Sequence, residues 1–197
     1  MSDKPERRLP HQCRQKKVNI MSKLVTPEFR GSFVHLLEPH AIKGVEGAKA
    51  RYQITIPLPK KDAFWTKLNA LVEDTAKGKW GKIPPKMKSP VKDGDIEGRP
   101  ELVGCFSIQA TSGNKPGIVN ESLNPIMDAN EIYSGAYYRA SIRAYAWDHP
   151  TGGKGVSIAL DNVMKVKDGE AFSGKVDAAD DFAPFGVNGT DDSDMLS

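Results

Sequence analysis

Cysteine is scarce in this chain of 197 residues, and long apolar runs are absent. The two cysteines, Cys13 and Cys105, are too few for a disulfide framework or a four-cysteine zinc site, which indicates a reducing compartment. No apolar stretch approaches the roughly 20 residues that a membrane-spanning helix requires, and the N-terminus lacks the apolar core of a secretory signal. We therefore expect a cytoplasmic protein.

The motifs of common catalytic and nucleotide-binding sites are also missing. The chain has no GxxxxGK[ST] phosphate loop, no GxGxxG fingerprint, no HExxH zinc motif and no GxSxG nucleophile elbow. Asp93, Asp95 and Glu97 resemble the start of a calcium-binding loop, but the twelfth position is Gly104, where a bidentate glutamate is required. We predict that the protein is not an enzyme and that it has no metal site and no cofactor.

Charge divides the chain into a basic body and an acidic end. Residues 1–20 hold six basic and two acidic residues and are interpreted as a flexible basic arm; Met21, where strand-like sequence begins, is an alternative start. Residues 177–197 hold six acidic residues and no Lys or Arg, so the net charge of +3 for the chain becomes +9 for the rest. This asymmetry predicts a polyanion-binding domain over 21–176 and an acidic disordered tail over 177–197.

Hydrophobic periodicity predicts a mainly β fold with one principal helix. The helix is expected from Asp62, as N-cap, to Lys77, with Gly78 just past its end. A long basic loop follows over 78–101. Five β segments are expected, near 33–37, 50–58, 102–110, 137–147 and 155–166, and Pro57 and Pro59 are expected to end the second of them. Because strands and helices do not alternate, a small five-stranded barrel is favoured over a parallel sheet.

The segment YYRASIRAYAW over 137–147 has an unusual pattern of side chains. Its even positions are apolar or small, except for one tyrosine, and its odd positions are Tyr137, Arg139, Ser141, Arg143, Tyr145 and Trp147. Successive strand residues point to opposite faces, so the aromatic and cationic set is expected to face outward. Stacking planes beside positive charge suit single-stranded nucleic acid. The alternative is that Tyr145 and Trp147 fill a second hydrophobic layer, with the arginines paired to carboxylates.

Other cationic and aromatic residues are candidates for the same surface. Arg51 is expected on the outward side of the second strand. Trp80 lies among lysines in the predicted basic loop and is a second candidate for base stacking. The lysines expected to extend the phosphate-binding track beside it are Lys79, Lys82 and Lys86.

Residues 124–174 resemble a tailed-phage family of single-stranded-DNA-binding proteins with an OB-fold. The similarity rests on a glycine before the aromatic strand, a glycine-containing hairpin and a closing L-x-x-V…D-G-E-x-F element. In this chain these are Gly135, Tyr137 to Trp147, Gly152 to Gly155, and Leu160, Val163, Asp168, Gly169, Glu170 and Phe172. The resemblance implies an OB-type barrel that coats single strands in phage DNA replication and recombination, without catalysis or sequence preference. The compartment would then be the host cytoplasm.

The resemblance also suggests a role for the acidic tail. Its tip, with Asp191, Asp192, Asp194, Met195 and Leu196, is similar to the acidic tips of phage and bacterial single-stranded-DNA-binding proteins. Such a tip implies docking on phage or host replication proteins and competition with DNA for the basic surface. The chain ends in Ser197 rather than in an aromatic residue, which departs from that pattern. A homodimer is an open alternative.

Two rival functions remain open from the sequence alone. One is a structural or assembly β-barrel protein of a phage particle, in which the aromatic face contacts a protein partner. The other is a nuclease or recombination enzyme with a diffuse metal site. Only the DNA-binding hypothesis predicts a mobility shift with a single-stranded oligonucleotide and no cleavage.

Overall fold

The structure is a computed structural model that describes residues 23–41 and 49–172. The predicted basic arm, the acidic tail and the tail tip therefore lie outside the described residues. The described part is mainly β with one long helix, as predicted. Its elements are β1 Lys23–Val25, β2 Phe29–Arg30, β3 Ser32–His40, β4 Arg51–Pro59, α1 Phe64–Trp80, β5 Val91–Asp93, α2 Gly94–Glu97, β6 Cys105–Ser112, β7 Gly117–Val119, β8 Tyr137–His149 and β9 Gly153–Lys167.

The strands form one mixed sheet in the order β1-β8-β9-β6-β4-β3. All neighbours along this path are antiparallel except β6 and β9, which are parallel. β1, β2 and β3 follow one another in the chain; the first two pair with β8 and the third pairs with β4. Residues 23–40 therefore act as one broken strand that reaches both edges, which is the arrangement of a partly open, five-stranded OB-type barrel.

The hydrophobic core lies inside the barrel and under α1. The inward positions of β8 alternate as the sequence predicts, and Tyr138, Ala140, Ile142 and Ala144 are each at most 3% exposed. The helix buries Phe64, Trp65, Leu68, Val72 and Ala76 and packs mainly against β8 and β9. The interpretation of Trp65 as a core residue is confirmed, because it is 5% exposed. No helix among the described residues is long and apolar enough to cross a membrane.

The helix ends later than the sequence predicts. At its start Ala63, not Asp62, directly precedes the first helical residue, but Asp62 Oδ1 still accepts a hydrogen bond from the Phe64 amide at 2.7 Å. However, the helix continues through Gly78 to Trp80, and Gly81, at φ +73°, is the residue that terminates it. A glycine lowers helix stability but does not end a helix unless it adopts the left-handed conformation. Trp80 therefore belongs to the last helical turn rather than to a loop.

Of the two prolines expected to end the second strand, Pro59 is its last residue, but Pro57 does not end it. Pro57 lies within β4 opposite Ser107, and Pro59 lies opposite Cys105 on β6. The pairing of β4 with β3 extends only to Thr55. Beyond that residue β4 is an edge strand, and an edge tolerates proline because the missing N–H has no ladder partner on that side.

The predicted long loop over 78–101 has structure of its own. Its middle forms β5, which pairs with β6, with Val91 opposite Ile108, and α2 follows directly. Just before β5, Lys88 forms an isolated parallel bridge with Gly155 on β9. The segment thus fills the space beside β6 and β9 where these two strands no longer pair with each other. Lys88 is thereby anchored against the barrel.

Candidate nucleic-acid interface

The outward face of β8 carries the aromatic and cationic residues that the sequence assigned to it. None of Tyr137, Arg139, Arg143, Tyr145 and Trp147 is buried, whereas their even-numbered neighbours from Tyr138 to Ala144 are. Arg139 is exposed and the other four are half-buried. From Tyr137 to Trp147 the strand is about 33 Å long at ~3.3 Å per residue, which is room for several nucleotides. The roles assigned to these side chains remain predictions.

Trp147 is held in a defined orientation by β9. Its indole Nε1 donates a hydrogen bond to Ser157 Oγ at 2.9 Å. Directly opposite lies Gly155, and a Cβ atom added there would come within 2.4 Å of Trp147 Cζ2, so the ring rests on the glycine backbone. The Lys88 ammonium lies 5.9 Å from the ring centroid. An aromatic plane is thus fixed next to a cation, as base stacking beside a phosphate requires.

Trp80 joins the same end of the β8–β9 hairpin. The ammonium groups of Lys79 and Lys154 each lie 5.7 Å from the Trp80 ring centroid. Lys79 Nζ also donates a hydrogen bond to the Ala146 carbonyl oxygen at 2.9 Å, which ties the end of α1 to β8. Two stretches that are more than 60 residues apart in sequence therefore lie at the same end of the hairpin. Trp80 packs against the hydrophobic core on the helix side, whereas Trp147 belongs to the outward face of β8. We call Trp80, Trp147, Lys79, Lys88 and Lys154 the hairpin cluster.

Lys82 and Lys86, predicted as part of the basic track, are exposed in the segment that leads to this cluster. The segment is anchored to β9 by two backbone hydrogen bonds, from the Lys88 amide to the Lys154 carbonyl at 3.0 Å and from the Val156 amide to the Lys88 carbonyl at 3.1 Å. Both lysines precede this anchor point in the chain, by six and two residues. Sequence reasoning noted Lys88 only as a loop lysine and did not single out Lys154, whose proximity depends on the tertiary fold.

Arg143 is engaged in a strong ion pair on the protein surface. Its Nε lies 2.9 and 2.8 Å from the two carboxylate oxygens of Asp161, and its Nη2 lies 2.6 Å from Oδ1. These hydrogen bonds raise the pKa of Arg143. The arrangement is the one that the alternative interpretation expected, an arginine paired to a carboxylate, and a DNA phosphate would have to compete with Asp161. Its role as a phosphate ligand remains a prediction.

The other predicted residues of β8 are differently placed. Arg139 is exposed opposite Met164 and has no carboxylate partner among the described residues. Tyr137 lies at the far end of the strand, where the Lys167 ammonium is 4.5 Å from its ring centroid. Tyr145 lies opposite Ser157, next to the hairpin cluster. These side chains form a stripe along β8 that leads to the cluster.

Arg51 is not brought to the β8 stripe. It begins β4, opposite His40 on β3, and β6 and β9 separate β4 from β8 in the sheet. Its contribution to the same track remains a prediction. The region around Arg51 does contain a groove that the sequence did not indicate, between the outer side of β3, β4 and β6 and the residues around α2.

Comparison with known proteins gives the family. A family model described as the single-stranded-DNA-binding protein of Enterobacter phage Enc34 matches residues 22–196. The chain belongs to this family. A curated relative, putative protein p50 of Acyrthosiphon pisum secondary endosymbiont phage 1, is 28% identical over 156 residues, which are 74% of this chain and 83% of the relative.

Solved structures agree with the family. The phage Enc34 protein in complex with single-stranded DNA superposes with a TM-score of 0.67 at 28% identity, over 76% of this chain and 89% of that chain. The single-stranded-DNA-binding protein encoded by bacteriophage T7 has a TM-score of 0.56 at 14% identity, over 86% of this chain and 97% of that chain, and shows that the fold is shared. The resemblance to a phage DNA-binding family is therefore confirmed. Membership in a family of non-catalytic binding proteins also agrees with the prediction that the chain is not an enzyme.

Proposed function

We propose that this protein binds single-stranded DNA without catalysis and without sequence preference, in phage DNA replication and recombination in the host cytoplasm. The observation that carries the proposal is the hairpin cluster, in which two tryptophans at one end of the β8 stripe each have lysine ammonium groups within about 6 Å of the ring centroid. The similar Enc34 protein has been solved in complex with single-stranded DNA, which supports the same ligand class here.

In this proposal, bases stack on the aromatic planes and phosphates contact the surrounding cations. Trp147 and Trp80 provide the principal planes, with Tyr145 and Tyr137 farther along the strand. The phosphate contacts come from Lys79, Lys82, Lys86, Lys88 and Lys154 around the cluster and from Arg139 and Arg143 on β8. Each stacking contact is typically worth about 1–3 kcal/mol, and every base has a π-face, so this mode of binding does not select a sequence.

The proposal extends to the regions on either side of the barrel. Residues 21–176 form the DNA-binding domain, and residues 177–197 form an acidic tail that competes with DNA and docks on phage or host replication proteins. The support is charge: the tail contains six carboxylates and no Lys or Arg, whereas the rest of the chain carries a net +9. DNA and the tail are both negatively charged, so both would be attracted to the same cationic surface.

A binding curve for a single-stranded oligonucleotide at two salt concentrations tests the proposal. Phosphate contacts release counterions, and the logarithm of affinity falls by about 0.7 per contact for each unit increase in the logarithm of salt concentration. Five or more contacts predict a steep loss of affinity between the two conditions. The absence of any mobility shift at low salt would reject DNA binding and favour the assembly-protein alternative, and Mg²⁺-dependent cleavage of the labelled strand would favour the nuclease.

A further inference from the structure

A groove of about 350 Å³ lies on the outer side of β3, β4 and β6, away from the hairpin cluster. The residues that line it come from these three strands and from the segment around α2. They are Phe33, His40, Gln53, Thr55, Lys92, Glu97, Arg99, Ser107 and Gln109. Its volume is at the lower end of the range for small-molecule sites, about 300–1,000 Å³. The groove is therefore of a size for one flat group rather than for a folded partner.

Phe33 presents an aromatic ring to this groove at a conformational cost. Its backbone φ is +50°, a region that L residues with bulky side chains rarely adopt. The register between β3 and β4 shifts between Ser32 and His35, and such a bulge re-aims a side chain. The ring remains 38% exposed, so burial in the core does not offset the strain. Strained residues that contribute little to the fold are found at functional sites.

Polar groups capable of contacting a base edge line the floor of the groove. Gln109 Nε2 donates a hydrogen bond to Gln53 Oε1 at 2.8 Å, which fixes both side-chain amides. The pair still offers an amide N–H of Gln53 and the carbonyl oxygen of Gln109 for further hydrogen bonds. An adjacent donor and acceptor match the polar edge of a nucleobase.

Positive charge borders the aromatic side of the groove. The Arg99 guanidinium carbon lies 4.2 Å from the Phe33 ring centroid, within cation–π distance. Lys92 is also in the lining and forms an ion pair with Glu97 at 3.1 Å. Two cations and one carboxylate leave a net positive charge beside the ring, which suits a phosphate. The groove thus combines a stacking plane, base-edge groups and a cation, and none of the residues that line it belongs to the hairpin cluster.

The groove is within reach of the hairpin cluster along a single segment. Lys92 on its rim and Lys88 beside Trp147 are four residues apart, a distance that an extended chain spans in at most about 14 Å. A bound strand that leaves Trp147 can therefore follow this segment to Phe33.

We propose that the groove holds one unstacked nucleobase of the bound strand, with its ring on Phe33, its polar edge at the Gln53–Gln109 pair and its phosphate beside Arg99. The proposal rests on the proposed function, because it assigns a second contact point to the same DNA strand. It adds a base-dependent contribution to a surface that otherwise does not distinguish bases.

The first test replaces Phe33 with asparagine in the full chain. Asparagine tolerates positive φ, so the melting temperature of Phe33→Asn should be unchanged or higher, while its affinity for a single-stranded oligonucleotide should fall by roughly 5- to 150-fold, the range for one stacked base. The matched control is Leu123→Asn, since Leu123 also has a positive φ, +63°, and is 68% exposed outside the groove. The control should bind as tightly as the original chain.

The second test addresses the base edge. Gln109→Met keeps the length of the side chain and removes its amide, so the differences in affinity among dA, dC, dG and dT homopolymers should shrink, while Phe33→Asn should weaken binding to all four. Equal affinity of Phe33→Asn and the original chain, measured while the original chain binds DNA, would overturn the groove proposal and leave the proposed function standing. Failure of the original chain itself to bind would instead reject the proposed function.

Discussion

At the residue scale, Trp147 combines partial exposure with a fixed orientation. The hydrogen bond to Ser157 and the contact with the Gly155 backbone hold the indole in place before any ligand arrives. A side chain that is already ordered loses little conformational entropy on binding, so more of the stacking energy contributes to affinity. Its neighbour Arg143 has the opposite character, because its charge is already matched by Asp161.

We expect Trp147→Ala to weaken oligonucleotide binding by about tenfold or more, because one stacking contact is typically worth about 1–3 kcal/mol. A fluorescence titration measures this affinity. Trp147→Phe keeps an aromatic plane and is the matched control, which should retain most of the affinity. Unchanged affinity of the alanine variant would remove Trp147 from the binding surface.

Gly155 is predicted to matter for DNA binding because it has no side chain, which leaves room for the Trp147 ring. In Gly155→Ala the added methyl group would meet the Trp147 ring at 2.4 Å, so the indole must move. We expect a loss of affinity similar to that of Trp147→Ala in the same titration. Gly113→Ala is the control, since a Cβ there would meet nothing within 4 Å and the variant should bind normally. Normal binding by both variants would show that the orientation of the ring is unimportant.

At the scale of elements, the sequence indicated both the helix α1 and the β8–β9 hairpin. It did not indicate the contacts between them. Apolar spacing correctly indicated the buried stripe of α1, because residues three and four apart share one face of a helix. The predicted end of α1 was wrong because a glycine in the sequence does not by itself specify the left-handed conformation. Both Gly78 and Gly81 could have terminated the helix, and the structure uses Gly81. This difference of three residues decides whether Trp80 is on a helix, and therefore where its ring lies.

The two glycines at the end of α1 should respond oppositely to alanine. Gly78 lies within the helix and a Cβ there would meet nothing within 4 Å, so Gly78→Ala should raise the free energy of unfolding by about 0.5–1 kcal/mol. Gly81 has φ +73°, a conformation that alanine adopts only with strain, so Gly81→Ala should lower the free energy of unfolding. Chemical denaturation measures both. Stabilisation by Gly81→Ala would contradict the assignment of that residue as the helix terminator.

At the scale of the whole molecule, charge is unevenly distributed along the chain. The acidic residues from 177 to 197 and the cationic surface of the barrel belong to one chain, so their effective concentration for each other is high. The proposed competition between this segment and DNA rests on that proximity, and we expect it to be strongest at low salt, where screening is weakest.

A chain that ends before Asp177 should therefore bind single-stranded DNA more tightly than the full chain at low salt, and the difference should shrink as salt is added. Binding curves for the two proteins at matched salt concentrations provide the measurement. A full-length variant with the six aspartates of this segment changed to asparagine is the control for length, and it should behave like the truncated chain. If truncation leaves affinity unchanged and abolishes only a partner interaction, self-competition is wrong and docking remains.

The sequence by itself determined the fold class, the alternation of β8 and the division of charge, because these depend on periodicity and composition within short stretches. The family resemblance of residues 124–174 was also readable there. Only the tertiary structure decided which residues meet. It placed Trp80 and Trp147 at the same end of the β8–β9 hairpin, paired Arg143 with Asp161, and used a bulge in β3 to expose Phe33 beside Arg99. Contacts between residues far apart in the chain depend on strand register and on the positions of bulges, and a one-residue shift in register reverses every side chain.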